Sequence, residues 1–302
     1  MNRERVLSLF GQINVWKRGD QRAPHKPLLL LLALGKCARR EERLIPYEEV
    51  DESLRPLLVE FGPSRQSYHP EYPFWRLKND GLWELTDTDD LELRQSSTDA
   101  KKSELLRHHV RGGLAEPVFR ALQDDSDLLF DVVDLLLERN FPESLHADIC
   151  NAVGLERNRF VVSKRLQRDP GFRFRVLTAY SYRCAICGFD MRLGQQSVGL
   201  EAAHIKWHQA GGPDTVNNGL CLCVLHHKLF DLGAFTLSNE RQVLVSDLVY
   251  GYGGADEWTL RYHGHSLLAP QNPSESPYRT FTEWHRREVF KGTPRYLEEA
   301  VV

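Results

Sequence analysis

The chain has 302 residues, 41% of them hydrophobic and 27% charged, with a formal net charge of −3. Such a length suits two domains, and such a balance excludes a disordered or fibrous chain. A uniformly basic nucleic-acid binder is excluded as well, so any surface for nucleic acid must come from an uneven distribution of charge.

In chain order, residues 3–17 are predicted to form a helix with Val6, Leu7, Leu9, Phe10, Ile13 and Trp16 as its apolar stripe. "RGDQRAPH" reads as a loop. Pro27 then sits at a helix start, where its missing N–H costs least, and Leu28–Leu34 continues as a buried helix ending near Gly35. That apolar run is too short for a bilayer, which needs about 20 such residues. "RQSYHPEYPFWRLKNDGLWELT" (65–86) opens rich in aromatics and proline. It then predicts a strand "FWRL", a turn at "NDG" and a second strand "LWEL", as in a hairpin. Helices are expected over 104–122 and 126–139. A change of composition near 150–165 divides the chain into domains of 1–155 and 156–302. Around that boundary Arg157, Arg159, Lys164, Arg165, Arg168, Arg173, Arg175 and Arg183 face only Glu156 and Asp169. The stretch is either a DNA-facing surface or the solvated face of a linker helix.

In the second domain, 172–182 predicts a helix leading into "CAIC". "SVGLEAAHI" predicts a strand, "KWHQAGGPDTVNNG" a long loop, and "LCLCVLHHKLFDLG" a turn into a helix. "AFTLS" and "QVLVS" form a closing hairpin, and "SPYRTFTEWHRREVFKG" a capping helix. The N-terminus lacks the long apolar stretch of a secretory signal. Four of the six cysteines are Cys184, Cys187, Cys221 and Cys223. Their clustering favours metal binding over disulfides and a cytoplasmic setting. Cys184 and Cys187 make a C-x-x-C hook, and Cys223 and His226 a C-x-x-H hook. Two such hooks form a tetrahedral Cys3His site of the kind that holds structural zinc, because each holds two donors close while the chain turns. Cys221 is read as core. His227, next to His226, points elsewhere on a helix and needs a different task.

The segment "AAHI…NNGLCLCVLHHKLFD", within residues 172–240, resembles the HNH endonucleases, whose core is a β-hairpin and a helix around one divalent cation (the ββα-metal fold). The resemblance implies that His204 is the general base, that Asn218 fixes the loop behind it, and that His227 holds a catalytic Mg2+ or Mn2+. Asp231, one helical turn after His227, shares its face and is the expected second ligand. Many members of the family carry Asp or His just before the base, where this chain has Ala203; either Asp231 compensates, or Glu201 reaches in from the same strand face, or metal binding is weak.

"RAPHKPLLLLLALG" and "SRQSYHPEYPFWRL" resemble the sulfur-binding domains fused to HNH nucleases in type IV, modification-dependent restriction enzymes, a likeness spanning about residues 1–150. Such domains recognise phosphorothioate DNA. The resemblance implies a pocket wall of His69, Pro70 and Pro73 with Ser67 at its rim. Tyr68 adds a ring, and His25 and Lys26 serve the same phosphate. The chemistry is consistent: sulfur is softer and more weakly hydrated than oxygen, so an apolar dimple accepts it at lower desolvation cost. Arg22, Arg65, Gln66, Arg76 and Lys78 are candidates for further phosphate or base contacts.

These readings together predict an α+β protein: an N-terminal mixed α/β DNA-reading domain followed by a small zinc-stabilised ββα-metal nuclease domain. Its expected partner is phosphorothioate-modified double-stranded DNA, and one nuclease centre per chain suggests a homodimer. Two other readings compete. In one the same nuclease reads methylated cytosine or unmodified sequence; in the other the protein is a zinc-stabilised DNA-binding module without catalysis.

Overall fold

A computed structural model of the chain describes residues 1–15, 19–94, 98–155 and 170–296. It divides into two units, Met1–Ser163 and Lys164–Val302.

The first unit is helical around a small sheet. Helix α1 (Arg3–Gly11) starts at Asn2, whose side chain accepts from the Arg5 N–H and so satisfies one of the orphan donors of the first turn. It is shorter than predicted: the chain leaves the helix at Gln12, and the Asn14 N–H goes instead to Asp80 at 3.1 Å. Trp16 lies outside the described residues. Helix α2 (His25–Ala38) buries every residue from Pro27 to Gly35, so the leucine run is the hub of this unit's core. It continues past Gly35, since a lone glycine only weakens a helix that packing holds on all sides. Strand β1 (Leu44–Pro46) leads into α3 (Tyr47–Phe61), a helix not anticipated from the sequence.

The predicted strand "FWRL" is instead helical, in α4 (Glu71–Arg76) and a short 3₁₀ turn at Leu77–Asp80. Pro70 at the N-cap, Glu71 in the first turn and Pro73 before the hydrogen-bond ladder begins are helix-start signals. They override the strand preference of Phe74 and Trp75. The predicted hairpin is therefore absent. β2 (Trp83–Leu85) pairs antiparallel with β3 (Arg111–Leu114), which also pairs with β1 to give the order β1-β3-β2.

The predicted helix over 104–122 is likewise divided, into α5 (Lys102–Arg107), β3 and α6 (Glu116–Asp124). A Cβ at Gly113 would lie 2.0 Å from the Arg43 carbonyl oxygen, so the central strand depends on glycine at that close approach. Helices α7 (Ser126–Asn140) and α8 (Glu143–Ala152) complete the unit.

The second unit opens with α9 (Pro170–Ala179) and a small hairpin of β4 (Arg192–Leu193) and β5 (Gln196–Ser197). Strands β6 (Leu200–His204) and β7 (Gly219–Cys223) then pair antiparallel, in a register that sets Leu200 opposite Cys223 and His204 opposite Gly219. Helix α10 (Val224–Asp231) follows β7 without a linker. A second hairpin, β8 (Phe235–Leu237) with β9 (Val243–Val245), precedes α11 (Ala255–Trp258) and α12 (Arg279–Glu288). The His285 ring of α12 stacks 3.7 Å from that of Phe230 and bonds Thr236, which ties the last helix to α10 and β8. Among the described residues no helix is long and apolar enough to cross a membrane.

Candidate functional site

Three clusters of side chains in the second unit lie around the β6–β7 hairpin and α10. The first holds Cys184, Cys187, Cys223 and His226, whose donor atoms all lie within 4.8 Å of one another. His226 Nδ1 stands 3.2 Å from Cys223 Sγ and 3.7 Å from Cys184 Sγ. Its Nε2–H donates to the Trp258 carbonyl at 2.8 Å, which leaves the Nδ1 lone pair aimed among the sulfurs. Burial works against a charge on this ring, but Cys184 and Cys223 outweigh it and raise its pKa to about 10. Hydrogen bonds from Cys187 and Cys223 push the Cys184 thiol far down, while Cys187 moves up, as expected where one proton is shared among crowded thiols. A donor set of three sulfurs and one imidazole, buried and converging, fits a tetrahedral zinc ion. Cys221 is fully buried, and that burial raises its thiol to about 12, so it behaves as core.

The second cluster surrounds His227. Its Nδ1 lies 2.6 Å from Glu201 Oε2, and its Nε2 lies 3.1 Å from Asp231 Oδ2. Burial disfavours a charged ring here, yet Asp231 and then Glu201 more than offset it, raising the pKa to about 10. Glu201 is correspondingly lowered, mainly by its hydrogen bond from His227. Both ring nitrogens face carboxylates and so both carry protons; a cation held between Nε2 and Asp231 Oδ2 would displace the Nε2 proton, while Glu201 keeps the ring oriented through Nδ1–H. This donor pair fits a hard or borderline divalent cation. Trp207, a loop residue with no predicted role, is buried and donates from Nε1 to Asp231 Oδ1 at 3.1 Å. Ala203 is fully buried in the core and offers no donor.

The third cluster surrounds His204. Its ring stacks on Phe172 of α9 at 4.1 Å, and its Nε2 meets Asp214 Oδ1 at 2.7 Å. A carboxylate only accepts, so Nε2 carries the proton and Nδ1 is the basic nitrogen. The loop that brings Asp214 round is clamped by the buried Asn218. Its Oδ1 accepts from the Lys206 N–H at 2.8 Å, and its Nδ2 donates to the Lys206 and Pro213 carbonyls, each at 2.9 Å. Asn217 turns instead to the Ser274 and Ser276 carbonyls. Gly212 is required in this loop, because a Cβ there would lie 1.9 Å from the Lys206 carbonyl oxygen. Neither Asp214 nor His208 was anticipated. The signal for Asp214 lay in the pairing: with His204 opposite Gly219, a residue just upstream of Asn218 must return beside His204. Of the basic stretch, Arg173 and Arg175 bond the Leu200 and Asp214 carbonyls at 2.8 and 2.9 Å. Arg157, Arg159, Lys164, Arg165 and Arg168 lie outside the described residues.

In the first unit the two motif segments converge. His25 opens α2 and is half-buried; burial, with Arg65 and His69 nearby, lowers its pKa to about 4, so it is neutral at pH 7 rather than cationic. His69 Nδ1 bonds the buried Glu71 at 3.0 Å, and its Nε2 meets Ser67 Oγ at 2.8 Å. Pro70 and Pro73 are buried, and the Tyr68 hydroxyl reaches the Pro63 carbonyl at 3.4 Å. Tyr72, which the sequence reading passed over, lies 5.1 Å from the His69 ring and stacks beneath the Arg76 and Arg94 guanidinium groups. Several candidate phosphate contacts have internal partners. Lys26 pairs with Asp80, Arg76 grips Asp99 with two nitrogens, Arg22 bonds the Phe61 carbonyl, and Lys78 sits over Trp75. Arg65 and Gln66 are exposed.

Residues 3–158 match the family model described as ScoMcrA-like, DNA sulfur-binding domain, and residues 184–238 match that of an HNH endonuclease. Among solved structures the chain is similar to the sulfur binding domain of ScoMcrA complexed with phosphorothioated DNA. That match has 25% identity, covers 49% of this chain and 94% of that one, and has a TM-score of 0.44. The sulfur binding domain of SprMcrA, also complexed with phosphorothioated DNA, is 25% identical over 51% of this chain and 95% of that one, with a TM-score of 0.43. The type IV phosphorothioation-dependent restriction endonuclease ScoMcrA is 24% identical over 49% of this chain, with a TM-score of 0.42; only 32% of that longer chain is covered. No curated protein matches.

Proposed function

The chain belongs to the ScoMcrA-like DNA sulfur-binding domain family and carries an HNH endonuclease domain, and from that premise we propose that it is a restriction endonuclease that recognises phosphorothioate-modified double-stranded DNA and cuts nearby. The observation that carries this reading is the presence of both family matches in one chain, at 3–158 and 184–238. In this reading residues 1–155 read the modification and residues 156–302 cut.

The reader offers a soft, uncharged lining. A neutral His25 and the buried prolines 70 and 73 suit a weakly hydrated sulfur, and the His69 ring, held by Glu71 on Nδ1 and by Ser67 on Nε2, completes the wall with Ser67 at the rim. Lys26, paired with Asp80, steadies the 77–80 turn against α2. His69→Ala is expected to narrow the affinity gap between modified and unmodified duplexes by about tenfold, the worth of one side chain's apolar contact. Fluorescence anisotropy with matched duplexes reads this; an equal loss on both would assign His69 to general phosphate binding.

In the nuclease, His227 and Asp231 would hold a divalent cation, with Glu201 on His227 Nδ1–H fixing the ring. Bound there, Mg2+ or Mn2+ polarises the phosphate and stabilises the leaving 3′-oxygen. His204, with Nε2–H on Asp214, takes the proton of the attacking water at Nδ1. Asn218 holds the loop that carries Asp214. Cys184, Cys187, Cys223 and His226 would hold a zinc ion that staples α10 to the turn after α9. Cleavage of matched plasmids, sulfur-modified and unmodified, in Mg2+ or Mn2+ tests the whole reading. Cutting of the modified plasmid alone is expected. Equal cutting of both removes sulfur recognition, and binding without cutting removes catalysis.

A further inference from the structure

His204, His208 and Asp214 form a second set of converging donors, within 4.8 Å of one another and apart from the Cys3His cluster. His204 Nε2 lies 2.7 Å and His208 Nδ1 3.5 Å from the same oxygen, Asp214 Oδ1. Two imidazoles and one carboxylate converging on one point form a donor set suited to zinc or another late transition metal. The set is also built to stay in place. The His204 ring lies against Phe172, the Asp214 carbonyl accepts from Arg175, and Asn218 ties both ends of the intervening loop. It is open to solvent on one side, since the His208 side chain is 49% exposed while those of His204 and Asp214 are 14% and 17% exposed.

We infer that His204, His208 and Asp214 bind a Zn2+-class cation that switches the nuclease off. The inhibitory part of this inference rests on His204 being the general base; the binding part does not. In the neutral ring, the Asp214 carboxylate selects the tautomer with the proton on Nε2, which makes Nδ1 the base. Coordination through Nε2 moves that proton to Nδ1, with none gained or lost by the ring. The nitrogen that should receive the water proton is then already protonated. Mg2+ prefers six oxygen ligands and keeps much of its water, so it competes poorly for two imidazoles. The cation that supports cleavage and the one that stops it therefore select different donor sets.

The test is a Zn2+ titration of the full-length protein, already holding its Cys3His zinc, in Mg2+ buffer. Calorimetry is expected to show one further Zn2+ per chain, and cleavage of modified DNA to stop over the same concentration range. His208→Ala should weaken both by about tenfold or more, as loss of a ligand must, and should keep cleavage in the absence of added zinc. Absence of a further binding event overturns the inference. So does an inhibition curve unchanged in His208→Ala, which would place the zinc on His227 and Asp231. If the wild-type protein cuts no DNA under any condition, the nuclease reading fails separately, and calorimetry on the two proteins still decides whether this site exists.

Discussion

His204→Ala is expected to reduce single-turnover cleavage of phosphorothioate-modified DNA by about 10²- to 10⁴-fold, the usual contribution of a positioned general base, while affinity for that DNA stays within about twofold, a change worth under 0.5 kcal/mol. The ring is held on two sides, by Phe172 against its face and by Asp214 on Nε2, so its orientation is set before substrate arrives. Removing it leaves the proposed ligand pair His227 and Asp231 and the Asn218 clamp untouched. The residues proposed to read the DNA belong to the other unit. Parallel loss of cleavage and binding would instead make His204 a structural residue. Asp214→Asn is expected to fall between wild type and His204→Ala. An amide can take the place of the carboxylate on Nε2–H, but without the charge that strengthens the bond.

With zinc in the proposed Cys3His site, Cys184→Ser is expected to release it and unfold the second unit. Cys184 is fully buried, and its sulfur faces His226 Nδ1 at 3.7 Å within the Cys3His cluster. A hydroxyl there is a poor ligand. Structural zinc contributes roughly 10–16 kcal/mol of apparent binding energy in small zinc domains, comparable with or greater than the whole stability of about 5–15 kcal/mol typical of a domain. Loss of one ligand is therefore enough to melt α10 away from the turn after α9. Metal analysis should find about one zinc fewer per chain than in the wild type, and thermal unfolding should lose the transition of the second unit. The first unit should melt as before, because its core is the leucine run of α2 and holds no cluster of metal donors among the described residues. An unchanged zinc content in the serine variant would sink the assignment.

The second unit was the more legible half, because its key information is local. The hook spacings put Cys184 near Cys187 and Cys223 near His226, and helical geometry separates His226 from His227 while bringing Asp231 under His227. In the first unit local preference misled at two places. The aromatic residues of "FWRL" favour a strand, but Pro70, Glu71 and Pro73 start a helix there. The apolar pattern over 104–122 concealed a glycine strand that only makes sense beside Arg43.

What could be read directly from the order of residues was the chemistry available: two metal hooks, an H-N-H series, and a histidine and proline-rich pair of segments. Which group faces which was settled by the folded chain. Glu201 reaches His227 because strand register sets it opposite Leu222, and Asp214 reaches His204 because Asn218 closes a loop of several residues. His25, Arg65 and His69 meet only when α2 and the segment before α4 are packed together. Hydrogen bonds act over about 3 Å, and the Glu201–His227 and His204–Asp214 partners are 26 and 10 residues apart in sequence. Helical and strand periodicity carry no information at that range, whereas pairing register and loop closure do.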